Sequence, residues 1–449
     1  MPEFDVAILG GGLSGASAAL RAVELGGKVC LIQRDLDSEA LPGYLPHRML
    51  MRVLQTLKNE EAGDNLANFP QWVKTLEIAA RDYLEKRQQM LSEAGVEIFH
   101  GEGSLISPKK ILVESNGENN LVTAKQIIIA TGSQLQAIPT IPFDNENIFP
   151  LEKIFQLIQP GEDVLVMGTG IVAVETALVL KLFCGKVFIG DENDCLFPEM
   201  DEEILRNFEA GLKKKKIKIL PGKKVTSVYK APDKIDVTLE GGIKFSVDKI
   251  VQITISGPNS EKLDADKLTI RLGLNKEVLV NEKQATSVAG IYAVGSVTGR
   301  PSSECLAEEE GRVAAGNAMG KNRLLNPDWI PIIVYSDKIM ATVGCCESMA
   351  HHKGFRGIGG RFELRNTDDN ANATPELFKI VADRQSGKII GGQIVSQYAA
   401  EVLPIVLLGI KKGLTIGSLA ILSMGESSGF YGLREAVRDC MKALKNVQD

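Results

Sequence analysis

The fold is decided by residues 3–35, EFDVAILGGGLSGASAALRAVELGGKVCLIQRD. The apolar run 6–9 predicts a strand, and it leads into Gly10-Gly11-Gly12-Leu13-Ser14-Gly15. An Ala-rich helix, a Gly26-Gly27 helix stop and a second strand at 29–32 follow. A strand, a G-x-G-x-x-G turn, a helix and a strand within about 30 residues form the dinucleotide-binding unit. The glycine pattern alone would be weak, and its flanking elements make it specific.

A second copy of the unit occupies residues 163–193, DVLVMGTGIVAVETALVLKLFCGKVFIGDEN. Gly168, Gly170 and Ala173 take its three small positions, and Ala at the third still allows close helix–strand packing. Asp191 follows the second strand, where an acid accepts from a ribose 2′-hydroxyl and repels a 2′-phosphate. The two units predict two bound dinucleotides, with NAD(H) favoured over NADP(H) at the second. The alternative is one working unit and one decayed duplicate.

Bulk properties restrict the class of protein. A chain of 449 residues predicts two to four domains, and its net charge of −6 gives no support to nucleic-acid binding. The longest apolar run, 402–410, is too short to span a membrane, and the acidic N-terminus does not resemble a signal peptide. The seven cysteines are scattered without a C-x-x-C pair, which predicts reduced thiols in the cytoplasm and no metal site.

Other segments suggest the remaining architecture. QIIIATGSQLQAIP, 126–139, is an apolar strand that ends in Ala130-Thr131-Gly132. GIYAVGSVTGRPSSECLAEEEG, 290–311, is a strand and glycine turn followed by a helix that begins near Leu306. From about residue 329 the pattern changes to a hairpin with Ser386-Gly387 at its turn, and then to helices. This part predicts a separate α+β domain.

The order of these parts resembles the flavin-dependent pyridine-nucleotide disulfide oxidoreductases, most closely the dihydrolipoamide dehydrogenase-like branch. The resemblance runs nearly end to end and is carried by GGGLSG, ATGS, MGTGIVAVE, IYAVGSVTG, AEEEGRVAAGNAMG and FKIVADRQSGKIIGGQIV. It implies an α/β fold with two Rossmann-like domains, for FAD and for NAD, and a C-terminal α+β domain that forms a homodimer. The expected boundaries are 1–150 (FAD), 151–265 (NAD), 266–328 (a central segment completing the FAD domain) and 329–449 (dimerisation).

The stretch DLDSEALPGYLPHRML, 35–50, departs from the family pattern G-G-T-C-x-x-x-G-C-I-P-S-K-x-L. LPHRML matches I-P-S-K-x-L without a gap, which places Glu39 and Tyr44 at the two redox cysteines. Neither can form a disulfide, so the dithiol relay is expected to be absent. Arg48 takes the place of the family Lys, and Glu175 that of the Glu with which it pairs beside the flavin.

A second departure lies near the C-terminus. The family motif H-x-H-P-T-x-x-E corresponds here to MGESSGFY, 424–431, which puts Glu426 at the catalytic His. A base that manages thiol protons is not needed where the thiols are missing, so the two losses agree. Glu39, Tyr44 and Glu426 are then expected on the acceptor side, with Glu426 an acid or base if burial raises its pKa.

The resemblance also implies the cofactor contacts. The family's ribose-binding acid is Gln33, and its Gly-Asp is Gly295-Ser296; both changes remove a charged hydrogen bond and weaken FAD. The expected FAD contacts are Gly10, Gly12, Ser14, Gly15, Gln33, Arg48, Ala130, Thr131, Gly132, Gly295, Ser296, Leu306 and Ala307. Those for NAD are Gly168, Gly170, Ala173, Glu175, Asp191 and Gly257.

Three functions follow. The first is an NADH-dependent flavoenzyme that passes electrons from FAD directly to an acceptor that the sequence does not name. The second is a non-catalytic dimer with a structural, sensing or partner-binding role, suggested by Gln33 and Ser296. The third is a disulfide reductase that uses Cys305 or the Cys345-Cys346 pair.

Overall fold

The computed structural model describes residues 3–34, 69–115, 117–253, 256–300, 303–365, 374–422 and 427–446. The chain divides into two compact units. The first unit takes the described residues of Met1–Pro46, Gln71–Ile138 and Ile255–Asn326, and the second takes those of His47–Pro70, Pro139–Thr254 and Pro327–Asp449. The four domain boundaries expected from the sequence stay predictions.

Helices separate the strands in the two glycine-rich regions, whereas three other stretches of the chain are runs of strands. The strands are β1 (Glu3–Leu9), β2 (Val29–Gln33), β3 (Glu97–His100), β4 (Glu102–Ser107), β5 (Lys110–Ser115), β6 (Glu118–Ile129), β7 (Ser133–Leu135), β8 (Ile148–Pro150), β9 (Val164–Met167), β10 (Val187–Gly190), β11 (Ile217–Leu220), β12 (Val225–Lys230), β13 (Ile235–Leu239), β14 (Lys244–Val247), β15 (Lys249–Gln252), β16 (Ser256–Pro258), β17 (Ile291–Ala293), β18 (Ile332–Val334), β19 (Ile339–Gly344), β20 (Gly357–Leu364), β21 (Glu376–Asp383) and β22 (Ile389–Ser396). The α-helices are Leu13–Glu24, Phe69–Glu93, Ile154–Leu157, Gly170–Phe183, Glu202–Lys214, Ala265–Leu268, Glu304–Ala318, Ala399–Lys412, Ile416–Ala420 and Ser428–Lys445. Among the described residues, the runs β3 to β8, β11 to β16 and β18 to β22 have no α-helix between their strands.

The first unit is built on a sheet of order β3-β2-β1-β6-β5-β4, with β17 paired to β6. β1 runs parallel to β2 and β6, whereas β4, β5 and β6 pair antiparallel. Ile8, Leu31 and Ile128 are fully buried on one face, beneath Ala-rich surfaces of the helices Leu13–Glu24 and Glu304–Ala318. Because both faces of a parallel sheet are covered, its strands are continuous apolar runs.

The second unit contains another parallel sheet, of order β11-β10-β9-β15-β8, and an antiparallel one, β12-β13-β14. The helix Gly170–Phe183 connects β9 to β10, and its buried residues include Ala173, Val174 and Ala177. The parallel pairing of β9 with β10 across a helix is the arrangement that the second glycine-rich motif predicts.

The C-terminal part of the second unit is an antiparallel sheet of order β18-β19-β22-β21-β20. The predicted hairpin is confirmed: β21 pairs with β22, and Gly387 adopts φ +69° between them. Its core unites strand residues such as Phe378 and Ile394 with Val402 and Leu433 of two helices. The α/β fold with a C-terminal α+β part is therefore confirmed.

Among the residues that the structure describes, no helix is both long and apolar enough to cross a lipid bilayer.

Candidate functional site

The first glycine loop joins β1 to the helix Leu13–Glu24. Gly10 has φ +117°, and a Cβ there would overlap the carbonyl oxygen of Ala130. A Cβ on Gly15 would overlap the carbonyl oxygen of Gly10. The N–H of Ala130 donates to the carbonyl of Leu9 at 2.8 Å, so that the end of β6 lies against the loop. These glycines are required by the protein's own packing.

Gly12 has a different role in the same loop. It is the N-cap of the helix, no described side chain caps that helix end, and a Cβ on Gly12 would meet no described atom within 4 Å. Within the described part of the chain, the backbone N–H groups at this helix N-terminus are therefore not bonded by a side chain. Such an end attracts anions through its N–H groups and the helix dipole. The loop fits the pyrophosphate of a dinucleotide.

Gln33 lies beside this loop at the end of β2. A Cβ on Gly11 would overlap the Gln33 Oε1 atom, which shows that the Gln33 side chain folds over the loop. Its backbone carbonyl accepts from Gly101 at 2.8 Å. The structure thus puts an uncharged amide at the end of β2, beside the first glycine loop.

The predicted Ala130-Thr131-Gly132 turn is held by a residue that the sequence did not single out for it. Thr131 Oγ1 donates to the Asn259 carbonyl at 2.7 Å, and Asn259 Nδ2 donates to the Thr131 carbonyl at 3.0 Å. The Asn259 N–H donates to Gly132 at 3.0 Å. Gly257 lies in β16 and pairs with Gln134 of β7. This NAD candidate therefore belongs to the first unit, with the FAD candidates.

Gly295 and Ser296 approach two other FAD candidates. Gly295 has φ +75°, and a Cβ on it would lie 2.5 Å from Ser14 Oγ. A Cβ on Gly132 would lie 3.8 Å from Ser296 Oγ. The fold thus brings Ser14, Gly132, Gly295 and Ser296 together in the first unit, although they are separated by up to 282 positions in the sequence.

The helix that carries Leu306 and Ala307 begins at Glu304, two residues before the predicted start. Ser303 is its N-cap: its Oγ accepts the Leu306 N–H at 3.2 Å, and its carbonyl accepts the Ala307 N–H at 2.9 Å. Both predicted donors are therefore engaged by Ser303 in this structure. A serine before a glutamate-rich helix is a capping signal that could have placed the start correctly.

Glu310, on the same helix, was missed by the sequence reasoning. It is 1% exposed, and its Oε2 accepts the N–H of Gly295 at 2.7 Å. Its Oε1 lies 3.2 Å from Nη1 of Arg300. Burial raises the pKa of the Glu310 carboxyl, although the Gly295 hydrogen bond and the Arg300 charge oppose the shift. The only sequence signal was the AEEEG phrase, in which three successive acids are indistinguishable without the helix orientation.

The second glycine loop has the same design. Gly168 has φ +149° and its N–H donates to the Gly190 carbonyl at 3.1 Å. Gly170 has φ +76°, and a Cβ on it would meet no described protein atom within 4 Å. Its N–H donates to the Leu196 carbonyl at 3.1 Å. Thr169 is the N-cap without a side-chain cap, and Ala173 is buried against the sheet. The N-terminus, which no described side chain caps, fits a second pyrophosphate.

Asp191 comes directly after β10, as the sequence predicts. Its Oδ1 accepts from the backbone N–H and the Nδ2 of Asn193, at 2.9 and 2.6 Å. These bonds orient the carboxylate at the end of the strand, beside the glycine loop that begins at the end of the neighbouring β9. A fixed carboxylate at this point can accept from a ribose hydroxyl.

Glu175 lies in the helix that follows this second loop and is completely buried. Its Oε1 accepts the backbone N–H of Tyr335 at 2.9 Å. Tyr335 follows β18 of the C-terminal sheet, so the helix and that sheet meet at this carboxylate within the second unit. The predicted Arg48 partner lies outside the described residues, as do Glu39, Tyr44 and Glu426.

None of the seven cysteines forms a disulfide. Cys345 and Cys346 are each 3% exposed; Cys345 Sγ donates to the Cys346 carbonyl, and Cys346 Sγ lies 3.3 Å from Ser348 Oγ. Burial raises the pKa of Cys345, which disfavours the thiolate. Cys305 is exposed on the first turn of its helix. Within the described part of the chain, no group of three or more His, Cys, Asp or Glu could hold a metal ion.

Known proteins share this architecture. The model of the pyridine nucleotide-disulphide oxidoreductase family matches residues 4–311, and that of the family's dimerisation domain matches residues 330–424. The chain is similar to dihydrolipoyl dehydrogenase 2, mitochondrial, of Arabidopsis thaliana, at 29% identity over 91% of this chain and 84% of the relative. It is similar to mercuric reductase of Staphylococcus aureus, at 27% identity over 93% of this chain and 79% of that protein.

Solved structures show the same fold. LpdA from Mycobacterium tuberculosis superposes with a TM-score of 0.83 at 21% identity, over 98% of this chain and 99% of that one. The HOCl-induced flavoprotein disulfide reductase RclA from Escherichia coli gives a TM-score of 0.78 at 19% identity, over 97% of this chain and 98% of that one. The family model covers more than half of the chain, and both glycine loops lie within it. The protein therefore belongs to the pyridine nucleotide-disulphide oxidoreductase family.

Proposed function

We propose that this protein is an NADH-dependent flavoenzyme that passes electrons from FAD directly to an acceptor, without a dithiol relay. The observation that carries the proposal is a contrast within one chain. No described side chain caps the helix N-termini of the two glycine loops, at Gly12 and at Thr169. By contrast, the sequence register predicts Glu39 and Tyr44 at the positions of the family's redox cysteines. Glutamate and tyrosine cannot take part in thiol–disulfide exchange.

The residues of the first unit would hold FAD. The N–H groups at the start of the helix Leu13–Glu24 would bind its pyrophosphate, and Gln33, Ser14 and Ser296 would offer neutral hydrogen-bonding groups to its hydroxyls. When bound, FAD supplies the hydride acceptor and the two-electron donor of the reaction. Overall, NADH is oxidised to NAD⁺, and the acceptor takes up two electrons.

The residues of the second unit would hold the nicotinamide nucleotide. The loop at Gly168 and Gly170 would bind its pyrophosphate, and Asp191 would accept from the ribose 2′-hydroxyl. Because a carboxylate repels a 2′-phosphate, we propose NADH as the reductant in preference to NADPH. Glu175, buried and held by the Tyr335 N–H, would present its carboxylate to Arg48.

The remaining assignments belong to the same proposal. The match to a dimerisation domain supports a homodimer formed through the C-terminal domain. Seven cysteines without a disulfide support a reducing compartment such as the cytoplasm. Glu39, Tyr44 and Glu426 would lie on the acceptor side, with Glu426 as an acid or base. We propose an acceptor such as a quinone, dye, metal ion or oxygen, and the sequence does not choose among them.

A non-catalytic role is the second candidate, and the amide of Gln33 at the ribose position favours it, as does Ser296. Each change replaces a charge-assisted hydrogen bond by a neutral one, which costs about 1 kcal/mol. The two together would weaken FAD binding about tenfold to a hundredfold. Because the FAD pyrophosphate would bind to backbone N–H groups of the first glycine loop, such a loss would reduce affinity and leave that loop in place.

An anaerobic visible spectrum of the purified protein, recorded before and after NADH is added, tests the proposal. We expect a flavin absorption band that bleaches with NADH and only slightly with NADPH. A flavin band unaffected by NADH would contradict the catalytic function. A protein that takes up no flavin even after incubation with FAD would support the non-catalytic one. Dithionite titration should show two-electron uptake per flavin. A redox-active disulfide, such as one formed between Cys345 and Cys346 in the oxidised enzyme, would raise the uptake to four electrons.

A further inference from the structure

The turn at Gly295 and Ser296 is held from beneath by a buried carboxylate. Glu310 is 1% exposed and its Oε2 accepts the Gly295 N–H at 2.7 Å. The carbonyl of Gly295 accepts from Thr298 Oγ1 at 2.8 Å. Both backbone polar groups of Gly295 are therefore bonded, and the direction of the turn is specified by two side chains.

The other oxygen of Glu310 has a charged partner. Nη1 of Arg300 lies 3.2 Å from Oε1, and the Arg300 side chain is 35% exposed. A carboxylate this deeply buried needs a counter-charge and donors in order to remain ionised, because burial raises its pKa. Arg300 supplies the counter-charge, and the Gly295 N–H supplies a hydrogen-bond donor.

The helix that carries Glu310 is itself fixed against the first glycine loop. A Cβ on Gly311 would overlap the carbonyl oxygen of Ser14 and would lie 2.9 Å from the Ala18 nitrogen, so the two helices touch through their backbones. Ser17 Oγ donates to the carbonyl of Glu308 at 2.8 Å. Glu310 is therefore a rigid support, not a mobile side chain.

The supported turn lies where the candidate flavin contacts meet. Gly295, at φ +75°, lies against Ser14 Oγ, and Ser296 Oγ approaches Gly132. A displacement of the Gly295 backbone would shift Ser296 and would also change the distance between Gly295 and Ser14. We propose that Glu310 is a positioning residue for FAD, which acts through the Gly295 N–H, with Arg300 as its counter-charge. This inference rests on the proposed function only in that it takes FAD as the ligand of the first unit.

Three substitutions separate the reach of the side chain from its charge. Glu310→Gln keeps an oxygen at the same distance from Gly295 and removes the charge. Glu310→Asp keeps the charge and withdraws it by one methylene, so that it no longer reaches the N–H. Glu310→Ala removes both. Glu309→Gln, at the adjacent, half-buried position on the same helix, is the matched control.

FAD is titrated into deflavinated protein by fluorescence quenching, and the melting temperature of each deflavinated variant is measured alongside. We expect Glu310→Asp and Glu310→Ala to bind FAD about tenfold or more weakly, and Glu310→Gln and Glu309→Gln to remain within about threefold of the wild type. We expect the melting temperatures without FAD to follow a different order. Glu310→Gln takes away the charge partner of Arg300, which affects stability, but it keeps the oxygen that accepts the Gly295 N–H, on which FAD affinity depends.

Equal FAD affinity in Glu310→Asp and the wild type would overturn the inference, as would a loss in Glu310→Gln as large as that in Glu310→Asp. If Glu310→Ala does not fold, the FAD affinities of Glu310→Asp and Glu310→Gln are sufficient to test the inference. Failure of NADH to bleach tightly bound flavin would refute the catalytic function and leave this inference standing. Unchanged affinity in every variant, with NADH turnover intact, would refute only the inference.

Discussion

At the scale of single residues, the first glycine loop contains two glycines that are needed for opposite reasons. At Gly15 a side chain would overlap the Gly10 carbonyl of the protein itself. At Gly12 it would meet no described atom within 4 Å, at the N-terminus of the helix Leu13–Glu24. Gly15 is thus required by folding, whereas we propose that Gly12 is required by the ligand, and substitutions can separate the two requirements.

Gly12→Ala should therefore weaken FAD binding at least tenfold while the flavin-free protein keeps its melting temperature to within about 2 °C. Gly12 has φ −64° and ψ −176°, which alanine adopts without strain. Gly15→Ala should lower the melting temperature of the flavin-free protein as well. Flavin content after gel filtration and thermal denaturation measure the two effects. Equal loss of stability in both variants would show that Gly12 has a packing role.

Asp191 allows a second test at this scale. Replacing it with serine should lower kcat/KM for NADH about tenfold and leave that for NADPH equal or higher, because the carboxylate bond to the ribose and the repulsion of a 2′-phosphate both disappear. Glu192→Gln, one residue further along the same loop and exposed, is the control and should change neither value. An unchanged preference in Asp191→Ser would place specificity elsewhere.

At the scale of elements, the helix Glu304–Ala318 contacts both the turn at Gly295 and the helix Leu13–Glu24 that follows the first glycine loop. Its first turn is capped by Ser303, its Glu310 supports the Gly295 turn, and its Gly311 touches the helix Leu13–Glu24. Small residues at such crossings let helix backbones approach closely, and any added atom must separate them.

Gly311→Ala should therefore destabilise the protein by about 1–3 kcal/mol, since its Cβ would overlap the Ser14 carbonyl. Gly316→Ala on the same helix is the matched control. Its Cβ would meet its nearest neighbour, Arg323 Cδ, at an ordinary 3.5 Å, so the higher helix propensity of alanine should stabilise by up to about 1 kcal/mol. Urea denaturation measures both changes, and opposite signs are expected.

At the scale of the whole molecule, a buried lysine joins two parts of the second unit. Nζ of Lys379, in β21, lies 3.0 Å from Asp201, 2.6 Å from Glu203 and 2.9 Å from Glu347, and the side chain is 6% exposed. Asp201 is the N-cap residue of the helix Glu202–Lys214 and also accepts the N–H groups of Glu347 and Ser348. The C-terminal sheet and the nucleotide-binding region are thereby tied together by charge.

Lys379→Met should cost about 3–5 kcal/mol in the free energy of unfolding, because it leaves three carboxylates without their shared cation. Lys353→Met is the control: Lys353 pairs with Asp328 at the surface, and its loss should cost about 0–1 kcal/mol. Chemical denaturation at neutral pH measures the difference. Similar losses in the free energy of unfolding for Lys379→Met and Lys353→Met would show that water screens the charges around Lys379.

The same cluster sets a pH dependence. Burial alone would raise the pKa of Asp201 and Glu203, but the bonds from Ser348 to Asp201 and from Lys379 to both acids lower them. The folded protein therefore binds fewer protons at these acids than the unfolded chain. Their stabilisation is present above the ordinary carboxylate pKa of about 4 and is lost as the pH falls through the lowered values.

We expect the wild type to lose stability between about pH 5 and pH 3 more steeply than Lys379→Met, in which burial is no longer opposed and the acids protonate early. Denaturation series at several pH values measure the two slopes. Parallel slopes would show that Lys379 does not control these pKa values.

The sequence by itself determined the features that depend on neighbours in the chain. Both glycine loops, Asp191 after its strand and the hairpin at Gly387 follow from short-range periodicity and from glycine at positive φ. The replacements at Glu39, Tyr44 and Glu426 stay predictions from the sequence, since these positions lie outside the described residues. The helix Glu304–Ala318 begins two residues before its predicted start, because Ser303 caps it.

Only the tertiary structure decided which distant residues support the sites. Asn259 holds the turn at Thr131 across 128 positions, Tyr335 holds Glu175 across 160, and Lys379 meets Glu203 across 176. Even Glu310, only 15 positions from Gly295, depends on the direction in which its helix packs. Such contacts form because polar groups that become buried on folding need hydrogen-bond partners, and periodicity along the chain carries no information about which partners they find.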